Sequence, residues 1–326
     1  MHTQPTVLVV GGAGYIGSHA ARILRKHGYQ VVIYDNLCTG YESLAEGFPL
    51  IRADIADTGK LKAALANVTA VMDFAAHAYV GESVANPRKY FRNNVEAGLN
   101  LLNTCIDCGV RFFVFSSTCA VYGVPERVPI SEDNARNPIN PYGITKMLFE
   151  RALETYDHAY GLRYASLRYF NAAGADESGE IGELHEPETH LIPLALKAAA
   201  GTGPELQLFG EDYPTPDGTC VRDYVHVNDL AEAHVAALRL LLDGGTSIAA
   251  NLGSGQGYSV RDILREVERG TGRKVPHRIV PRREGDPPAL VADPALAKKT
   301  LGWRAERGLD VIVQTAWRWE QGRRIV

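Results

Sequence analysis

Thr6-Val7-Leu8-Val9-Val10-Gly11-Gly12-Ala13-Gly14-Tyr15-Ile16-Gly17-Ser18-His19 is the stretch that decides the fold. An apolar, β-branched run gives way to glycines and then to an amphipathic segment, which predicts a strand, a tight turn and a helix start. The glycines match the dinucleotide-binding spacing G-x-G-x-x-G from Gly12, and an alternative spacing from Gly11 equally well. The stretch therefore predicts a turn whose backbone approaches a pyrophosphate at a helix N-terminus.

A second apolar run, residues 30–34, ends in Asp35 about 20 residues after the glycine turn. A carboxylate at that strand end can bond both hydroxyls of an adenosine ribose and would repel a 2′-phosphate. NAD is therefore favoured over NADP as the cofactor. The alternative is a glycine turn that serves packing alone, with an aspartate that merely ends a strand. The shared register of strand, glycines, helix and acid argues against it.

The composition predicts an ordinary globular protein of one or two domains with a large core. The chain has 326 residues, of which 45% are hydrophobic and 22% charged. Its net charge of −4 argues against nucleic acid or an anionic membrane as the main partner. No apolar run is long enough to span a bilayer, and the N-terminus lacks the regions of a signal peptide. A cytoplasmic protein is expected.

The cysteine pattern predicts reduced thiols and no metal site. The five cysteines are an odd number, which fits a reducing compartment. Cys105 and Cys108 form a C-x-x-C, but no second pair follows at zinc-ribbon spacing. Packing within a helical pattern is the better interpretation of this pair.

Strand-like and helical patterns alternate after the glycine turn, as in a doubly wound parallel sheet. Residues 1–175 are predicted to form a Rossmann-type NAD-binding domain, with strand and helix excursions from the C-terminal half. Residues 176–326 are predicted to form a smaller α/β domain for the substrate. The patterns read as strands at 50–54, 70–76, 111–118 and 164–171, and as helices near 61–65, 87–108 and from 140 onward. Loops are expected at 176–189 and 210–219, and further short elements at 190–200, 228–242, 248–252, 259–271 and 309–319.

Tyr142 and Lys146 lie four residues apart at a predicted helix start, so both project from one face. A tyrosine with a pKa near 10 acts as a base at pH 7 only if its pKa falls by about 3 units, or about 4 kcal/mol. One cation at about 5 Å supplies about 3 kcal/mol at an effective dielectric near 20. Lys146 and the positive nicotinamide ring of NAD⁺ would together suffice. Thr118, at a predicted strand end, is placed to share a proton with a substrate hydroxyl.

With these motifs, the chain resembles the extended short-chain dehydrogenase/reductase family, and within it the nucleotide-sugar 4-epimerases. The resemblance runs from Val7 almost to the C-terminus. It is carried by the glycine turn and by the segments 35–37, 80–83, 140–143, 167–171, 217–224 and 282–286. It implies a tightly bound NAD that is regenerated in each turnover, a UDP-sugar substrate and a homodimer. The implied reaction interconverts UDP-glucose and UDP-galactose through a transient 4-keto sugar, with Tyr142 as the base.

The resemblance also assigns binding residues. Arg222 and Arg283 are candidates for the pyrophosphate, because paired guanidinium groups bind phosphate oxygens bidentately. Family positions around the nucleotide sugar fall on Thr118, Asn171, His190, Leu191, Phe209, Tyr224, Asp286 and Leu290. Family positions around NAD fall on Gly11, Gly14, Tyr15, Ile16, Gly17, Asp35, Asn36, Asp54, Ile55, Phe74, Ala75, Ala76, Asn93, Tyr142, Lys146, Tyr169 and Phe170.

Some positions depart from the well-known bacterial epimerases and leave the sugar open. Ala78 stands where those enzymes carry a lysine near the cofactor, and His190 replaces an asparagine that contacts the nucleotide. Leu290 occupies the family position whose side chain limits the size of the sugar. A bulky tyrosine there excludes N-acetyl sugars and a small cysteine admits them, and leucine is intermediate in size. UDP-N-acetylglucosamine stays an alternative substrate. The segment Ala78-Tyr79-Val80 also resembles UDP-xylose or UDP-arabinose 4-epimerases.

Three other functions fit the same fold. A nucleotide-sugar 4,6-dehydratase needs an acid and a base after the Thr118 position, where this chain has Cys119 and Ala120. A net dehydrogenase or reductase needs a cofactor that exchanges freely. An NAD-sensing regulator would not need Thr118, Tyr142 and Lys146 together.

Overall fold

The computed structural model describes residues 4–283 and 286–322, and a parallel β-sheet forms its centre. The strands within these residues are β1 (Thr6–Val10), β2 (Gln30–Asp35), β3 (Leu50–Arg52), β4 (Ala70–Asp73), β5 (Phe112–Thr118), β6 (Arg163–Tyr169), β7 (Asn171–Ala173), β8 (Leu206–Phe209), β9 (Val221–Arg222), β10 (Tyr224–His226), β11 (Ile248–Leu252), β12 (Tyr258–Ser259), β13 (His277–Val280) and β14 (Ala289–Leu290). In the described chain, seven of them form the main sheet in the order β11-β6-β5-β4-β1-β2-β3. Every neighbouring pair in it is parallel. This confirms the Rossmann-type fold, with its topological switch between β1 and β4.

The helices cover both faces of this sheet and the C-terminal part. They are α1 (Tyr15–Lys26), α2 (Thr58–Ala64), α3 (Val80–Ala85), α4 (Pro87–Tyr90), α5 (Gly98–Asp107), α6 (Pro141–Tyr160), α7 (Leu191–Ala200), α8 (Val227–Leu242), α9 (Val260–Thr271), α10 (Ala295–Leu301) and α11 (Leu309–Gly322). A segment of wider, π-type turns, Phe91–Ala97, joins α4 to α5. The helix predicted over 87–108 is therefore helical throughout, but its middle is widened.

Alternate residues of each strand face opposite layers, which gives the sheet two cores. On one face, Val7, Val9 and Met72 pack with apolar side chains of α1 and α8. On the other face, Leu8 and Phe115 pack with α2, α5 and α6. The helix that carries the predicted Tyr/Lys pair, α6, thus lies directly on the sheet.

The C-terminal part contributes to the main sheet as well as to its own layers. Strand β11 lies beside β6 at the sheet edge, although residues 248–252 follow the predicted domain boundary by more than seventy residues. Helices α7, α9 and α11 enclose a separate apolar cluster that includes Ile192, Ile263 and Val313. Small sheets pair β10 with β7, β13 with β8, and β9 with both β12 and β14. The domain boundary near residue 175 stays a prediction.

Local sequence fixes where α6 begins and ends. The Asn140 side chain caps the helix by accepting from the Gly143 N–H at 2.9 Å, and Pro141 occupies the first turn, where its missing N–H costs nothing. Gly161 ends the helix with a φ of 66°, in the left-handed region. Among the described residues, no helix is both long and apolar enough to cross a membrane.

Candidate active site

The glycine turn after β1 brings two backbone segments into contact. Gly11 has a φ of +73°, and a Cβ there would lie 2.6 Å from the Ala75 nitrogen. A Cβ on Gly17 would lie 2.3 Å from the Gly11 carbonyl oxygen. Side chains at either position would push the turn away from the end of β4 or from the first turn of α1. The predicted cofactor residues Gly11, Gly17 and Ala75 therefore meet at the carboxyl edge of the sheet.

The N-terminus of α1 is open to an anion. Gly14 is its N-cap and offers no side-chain cap bond, and the first turn carries no acidic residue. The first N–H groups of a helix lack helical partners, and the dipole favours negative charge there. Ile16, in that first turn, is half-buried. Tyr15 is buried, and its hydroxyl donates to the Gly174 carbonyl at 2.6 Å. A pyrophosphate fits this cradle.

Asp35 is held as an acceptor at the end of β2. Its Oδ2 accepts from the Ala13 N–H at 2.9 Å, and its Oδ1 accepts from the Leu37 N–H at 2.8 Å. Burial raises the pKa of Asp35, and these two bonds oppose the rise. Each carboxylate oxygen keeps a second lone pair. The residue therefore fits the two ribose hydroxyls, and with the glycine cradle it makes the chain suited to NAD.

Three other residues predicted near the cofactor, Asn36, Asp54 and Ile55, lie together beyond β2 and β3. Asn36 donates through Nδ2 to Asp54 Oδ2 at 2.7 Å. The other Asp54 oxygen accepts from the Ala56 N–H at 2.8 Å. Ile55 is buried, and its carbonyl accepts from Asn100 Nδ2 at 2.7 Å. This corner is thus held by one bond between two side chains and by two bonds between a side chain and the backbone.

The predicted catalytic residues meet where β5 ends against α6. Thr118, Tyr142 and Lys146 are all buried. Lys146 Nζ donates to the Ser116 carbonyl at 2.8 Å, and Thr118 is close enough to the Tyr142 phenol to oppose the rise of its pKa. The backbone N–H of Ala120 donates to Thr118 Oγ1 at 3.2 Å. A hydroxyl, a phenol and an ammonium group therefore share one sheet edge.

Burial dominates the electrostatics of this set within the polypeptide. Burial raises the pKa of Tyr142 well above 10, and the largest opposing effect is its hydrogen bond with Thr118. Burial lowers the pKa of Lys146 to about 8, against the charges of Asp73 and Glu150. Lys146 Nζ is directed towards the Ser116 carbonyl. The combined effect of Lys146 and NAD⁺ on the Tyr142 pKa stays a prediction.

Four more residues predicted near the cofactor, Phe74, Ala76, Tyr169 and Phe170, lie at or after the ends of β4 and β6. The Tyr169 hydroxyl lies 2.6 Å from Ser116 Oγ, and the Phe74 ring centroid lies 4.8 Å from that of His234. Phe170 packs in a small apolar cluster that Leu290 also contacts. Ala76 is half-buried after β4. Their roles at the cofactor stay predictions.

Asn94 is a site residue that the sequence reasoning missed. Its Oδ1 accepts from the His77 N–H at 2.9 Å and from Asn93 Nδ2 at 2.9 Å. Its Nδ2 donates to the His77 carbonyl at 3.0 Å and to Thr145 Oγ1 at 3.1 Å. The predicted Asn93 is therefore positioned by its neighbour, which also ties the loop after β4 to α6. The Asn-Asn pair within an otherwise helical pattern was the available signal.

The predicted substrate residues form a second group in the C-terminal part. Arg222 is ion-paired with Asp286 and donates to the Val221 carbonyl at 2.7 Å. The Arg283 guanidinium lies 4.0 Å from the Phe209 ring centroid. The register of β14 on β9 places Leu290 beside Arg222. Tyr224 is buried, and Asn171 donates its backbone N–H to the Asp223 carbonyl at 3.0 Å.

His190 takes part in a cluster that the sequence did not predict. Its Nδ1 lies 2.5 Å from Glu183 Oε1 and 3.4 Å from Glu188 Oε1, just before Leu191 begins α7. His185 Nδ1 lies 3.1 Å from Glu183 Oε1. The four ligand atoms lie within 4.8 Å of one another, and mutual pairing of two imidazoles with two carboxylates accounts for the arrangement. In the sequence, the spacing E-x-H-x-x-E-x-H over residues 183–190 could have indicated this cluster.

This cluster makes stability depend on pH. Burial lowers the pKa of His190, but the charges and hydrogen bonds of Glu183 and Glu188 outweigh it and raise that pKa to about 10. Burial raises the pKa of Glu183, but His190 and His185 lower it to about 2. A raised histidine pKa stabilises the fold fully below pH 6.5, and this stabilisation is lost as the pH rises towards 10.

We therefore expect the free energy of unfolding to fall between pH 6.5 and 10, and His190→Asn to flatten part of that fall. Because about half of the His190 side chain is exposed, solvent screening keeps the effect modest. Urea denaturation at several pH values measures it, with His27→Asn, a surface histidine paired with Glu232, as the control. An equally steep pH dependence in His190→Asn would contradict the assignment.

A dinucleotide cradle and an acid–base pair at one sheet edge are the features of a nicotinamide-dependent enzyme of the Rossmann class. The chain belongs to the NAD dependent epimerase/dehydratase family, whose model matches residues 7–253.

Individual relatives match almost the whole chain. UDP-glucose 4-epimerase of Rhizobium meliloti (strain 1021) is 50% identical over 319 residues, which is 97% of each chain. The structure of UDP-glucose 4-epimerase from Brucella ovis in complex with NAD is 53% identical, with a TM-score of 0.94 over 96% of this chain and 97% of that one. UDP-glucose-4-epimerase from Stenotrophomonas maltophila, with bound NAD and formylated UDP-arabinopyranose, is 42% identical, with a TM-score of 0.94 over 98% of both chains.

Proposed function

We propose that this chain is an NAD-dependent UDP-sugar 4-epimerase that interconverts UDP-glucose and UDP-galactose. The observation that carries the proposal is that the buried side chains of Thr118, Tyr142 and Lys146 meet where β5 ends against α6, at the same carboxyl edge of the sheet as the glycine turn. The relatives described above support the same activity. Inverting C4 of a sugar needs a redox detour, because that carbon is not next to a carbonyl group and its hydrogen is not acidic.

The glycine turn, the N-terminus of α1 and Asp35 would hold the dinucleotide, and Lys146 would bond its nicotinamide ribose. The bound dinucleotide would supply the hydride chemistry at C4 of the sugar. The open helix end and the paired Asp35 acceptors support this placement. Since the cofactor ends each turnover as it began, a tight hold on it is an advantage.

The polypeptide supplies the proton chemistry. Tyr142 removes the proton of the 4-hydroxyl as a general base, and gives it back when the keto sugar is reduced. Thr118 donates to the phenolate and orients the sugar hydroxyl. Lys146, with its positive charge, stabilises the phenolate, because the buried site strengthens their attraction. Burial of all three side chains excludes the water that would compete for the proton.

The UDP group would be held by the second group of residues. Arg222 and Arg283 are the proposed pyrophosphate ligands, with Asn171, Leu191, Phe209, Tyr224 and Asp286 around the nucleotide. The Arg222–Asp286 ion pair supports this, because a guanidinium held in place by a carboxylate is ready to bind phosphate oxygens. His190 lies next to Leu191 and would border the same nucleotide. The sugar would then reach past Leu290 towards Thr118 and Tyr142.

Rival activities lack a supporting residue. A 4,6-dehydratase needs an acid and a base beside Thr118, and Cys119 and Ala120 stand there. Burial raises the pKa of the Cys119 thiol to about 12, so it would not supply a base at neutral pH. An NAD-sensing protein would gain nothing from the buried Thr118–Tyr142 pair.

The test is incubation of purified protein with UDP-galactose, UDP-N-acetylgalactosamine and UDP-xylose in separate reactions without added NAD, followed by chromatography of the sugar nucleotides. UDP-glucose formed from UDP-galactose supports the proposal. Net oxidation that requires added NAD would indicate a dehydrogenase instead, and loss of the C6 hydroxyl would indicate a dehydratase. Product formed from UDP-xylose alone would favour the second candidate, a UDP-pentose 4-epimerase. The arabinopyranose nucleotide bound by the Stenotrophomonas relative motivates that arm.

Leu290 is proposed to limit the size of the sugar. It lies beside Arg222 in the register of β14 on β9 and contacts the cluster around Phe170. We expect Leu290→Tyr to lower kcat/KM on UDP-N-acetylgalactosamine by about tenfold more than on UDP-galactose, because the larger ring takes up acetamido space. Leu290→Met, which keeps the volume, is the matched control. An equal loss on both substrates in Leu290→Tyr would count against gating.

We further propose a homodimer in the cytoplasm. Exposed apolar side chains on helical segments that pack against one another support the dimer: Val84, Phe91 and Leu148. All five cysteines are free thiols, which supports a reducing compartment. Light scattering on the purified protein tests the first proposal, since a dimer would have twice the 35.5 kDa mass of the chain. Cell fractionation tests the second.

A further inference from the structure

A buried carboxylate lies at the active-site edge without a role in the proposed chemistry. Asp73 ends β4 and is 3% exposed. Its Oδ1 accepts from the Ala75 N–H at 3.0 Å, and among residues 4–283 and 286–322 it has no ion pair within 4.0 Å. Burying an ionised carboxylate without a paired cation is costly. Packing alone therefore does not explain why a carboxylate occupies this position at the edge of the site.

The sheet register aims this carboxylate at the face that carries Lys146. Asp73 on β4 lies opposite Phe115 on β5, and paired residues of neighbouring parallel strands project to the same face. The Nζ atom of Lys146 lies 4.6 Å from the centroid of the Phe115 ring. Neighbouring strands are about 5 Å apart, so Asp73 stands one strand from the ammonium group, on the same side of the sheet.

We propose that Asp73 is a positioning residue, whose buried carboxylate keeps the side chain of Lys146 in its ammonium form against the cost of burial. The charged lysine then remains available to the Tyr142 phenolate and to the cofactor ribose. The inference rests on the proposed function only for the use made of that charge. The effect of Asp73 on Lys146 is a property of the polypeptide.

Other titratable groups face Lys146, and they do not replace Asp73. Glu150, one turn further along α6, is bonded to Arg168 at 2.7 Å and to Arg136 at 3.0 Å, so two guanidinium groups offset its charge. Tyr142, one turn before Lys146 on α6, and two groups near Asp73, Tyr169 on β6 and Cys105 on α5, are neutral at physiological pH, and burial raises their pKa values. Asp73 is thus the anion near Lys146 whose charge is not offset by an arginine.

The stability of the Asp73→Asn variant distinguishes the proposed positioning role of Asp73 from a structural role. Burial raises the pKa of Asp73 to about 6, although Lys146 and the Ala75 N–H lower it. A raised carboxyl pKa means that the fold loses stability as the pH rises from 3.8 through 6, because the folded state holds the proton more tightly. At pH 8 the charged carboxylate therefore works against folding. Asp73→Asn should fold at least as stably as the parent chain.

The experiment titrates Lys146 directly. The full chain is labelled with lysine carrying 13C at Cε, Lys146→Arg assigns the signal, and its pKa is measured by NMR in the parent, Asp73→Asn, Asp73→Glu and Asp107→Asn. We expect the Lys146 pKa to fall by about one unit in Asp73→Asn, to recover in Asp73→Glu, and to stay unchanged in Asp107→Asn, a surface control on α5. The alkaline limb of kcat/KM for UDP-galactose should shift by the same amount.

Two results would overturn the proposal. One is an unchanged Lys146 pKa in Asp73→Asn, whatever happens to turnover. The other is a lower Tm of Asp73→Asn at pH 8, which would make the carboxylate a structural group. Asp73→Ser provides a second neutral variant if the asparagine does not fold. Because the titration needs no turnover, a chain that epimerises no UDP-sugar would refute the proposed function while the status of Asp73 is still decided.

Discussion

Tyr142→Phe is expected to lower kcat by roughly 10³-fold and to leave NAD bound. The phenylalanine ring fills the same buried position in the first turn of α6, so the fold and the dinucleotide cradle persist. What it removes is the oxygen that takes the proton of the sugar hydroxyl. The measurement is the rate of UDP-galactose conversion, together with the cofactor released from the denatured protein and measured by absorbance.

The control for this variant is Tyr156→Phe. Tyr156 lies on the same helix, but its hydroxyl donates to Asn103 at 2.6 Å near the surface. Its turnover should match that of the parent chain. If Tyr142→Phe epimerised UDP-galactose at the parental rate, the assigned base would be wrong. If it lost NAD as well as turnover, the phenol would belong to the cofactor site rather than to the proton transfer.

Glu150→Gln is expected to destabilise the fold by about 3–5 kcal/mol. Glu150 Oε1 accepts from Ser117 Oγ at 2.6 Å and from Arg168 Nε at 2.8 Å. Its Oε2 accepts from Arg168 at 2.7 Å and from Arg136 at 3.0 Å. Glutamine offers one acceptor oxygen and places an NH₂ group against a guanidinium, so the buried Arg168 charge loses its counter-ion. Urea denaturation monitored by circular dichroism measures the change.

Glu154→Gln is the matched control, one turn further along α6. Glu154 also bonds Arg136, but its side chain is 34% exposed, so solvent can replace the lost charge. We expect its effect on the free energy of unfolding to stay within about 1 kcal/mol. Equal losses in the two variants would show that burial of the Glu150–Arg168 pair does not set its contribution.

The parts of the fold that the sequence predicted are those with a local signal. The apolar run before Gly11 and the proline and asparagine before Tyr142 specify a strand and a helix start by themselves. They also bring Thr118, Tyr142 and Lys146 to one edge, because parallel strands share their carboxyl ends. The motif spacing was therefore sufficient to predict that Thr118, Tyr142 and Lys146, the proposed catalytic residues, lie together.

What the sequence did not predict depends on partners distant in the chain. Asp73 looks like the end of a strand until β5 and α6 place it near Lys146. Glu150 can be recognised as a buried counter-ion only when Arg168 on β6 is seen beside it. Glu183 can be recognised as an ion-pair partner only when His190 is seen against it. Buried charge is a property of three-dimensional neighbours, so no window of sequence contains it. The combined effect of Lys146 and NAD⁺ on the Tyr142 pKa also depends on three-dimensional neighbours, and it stays a prediction.

The position of β11 has a consequence for how the protein folds during translation. The edge of the catalytic sheet is closed by residues 248–252, and the core on one of its faces is completed by α8. A nascent chain released at residue 175 would expose the flank of β6 and the apolar side of α1. We therefore expect residues 1–175 to complete their fold only after about three quarters of the polypeptide has emerged. A chaperone that shields an open strand edge would be of most use in that interval.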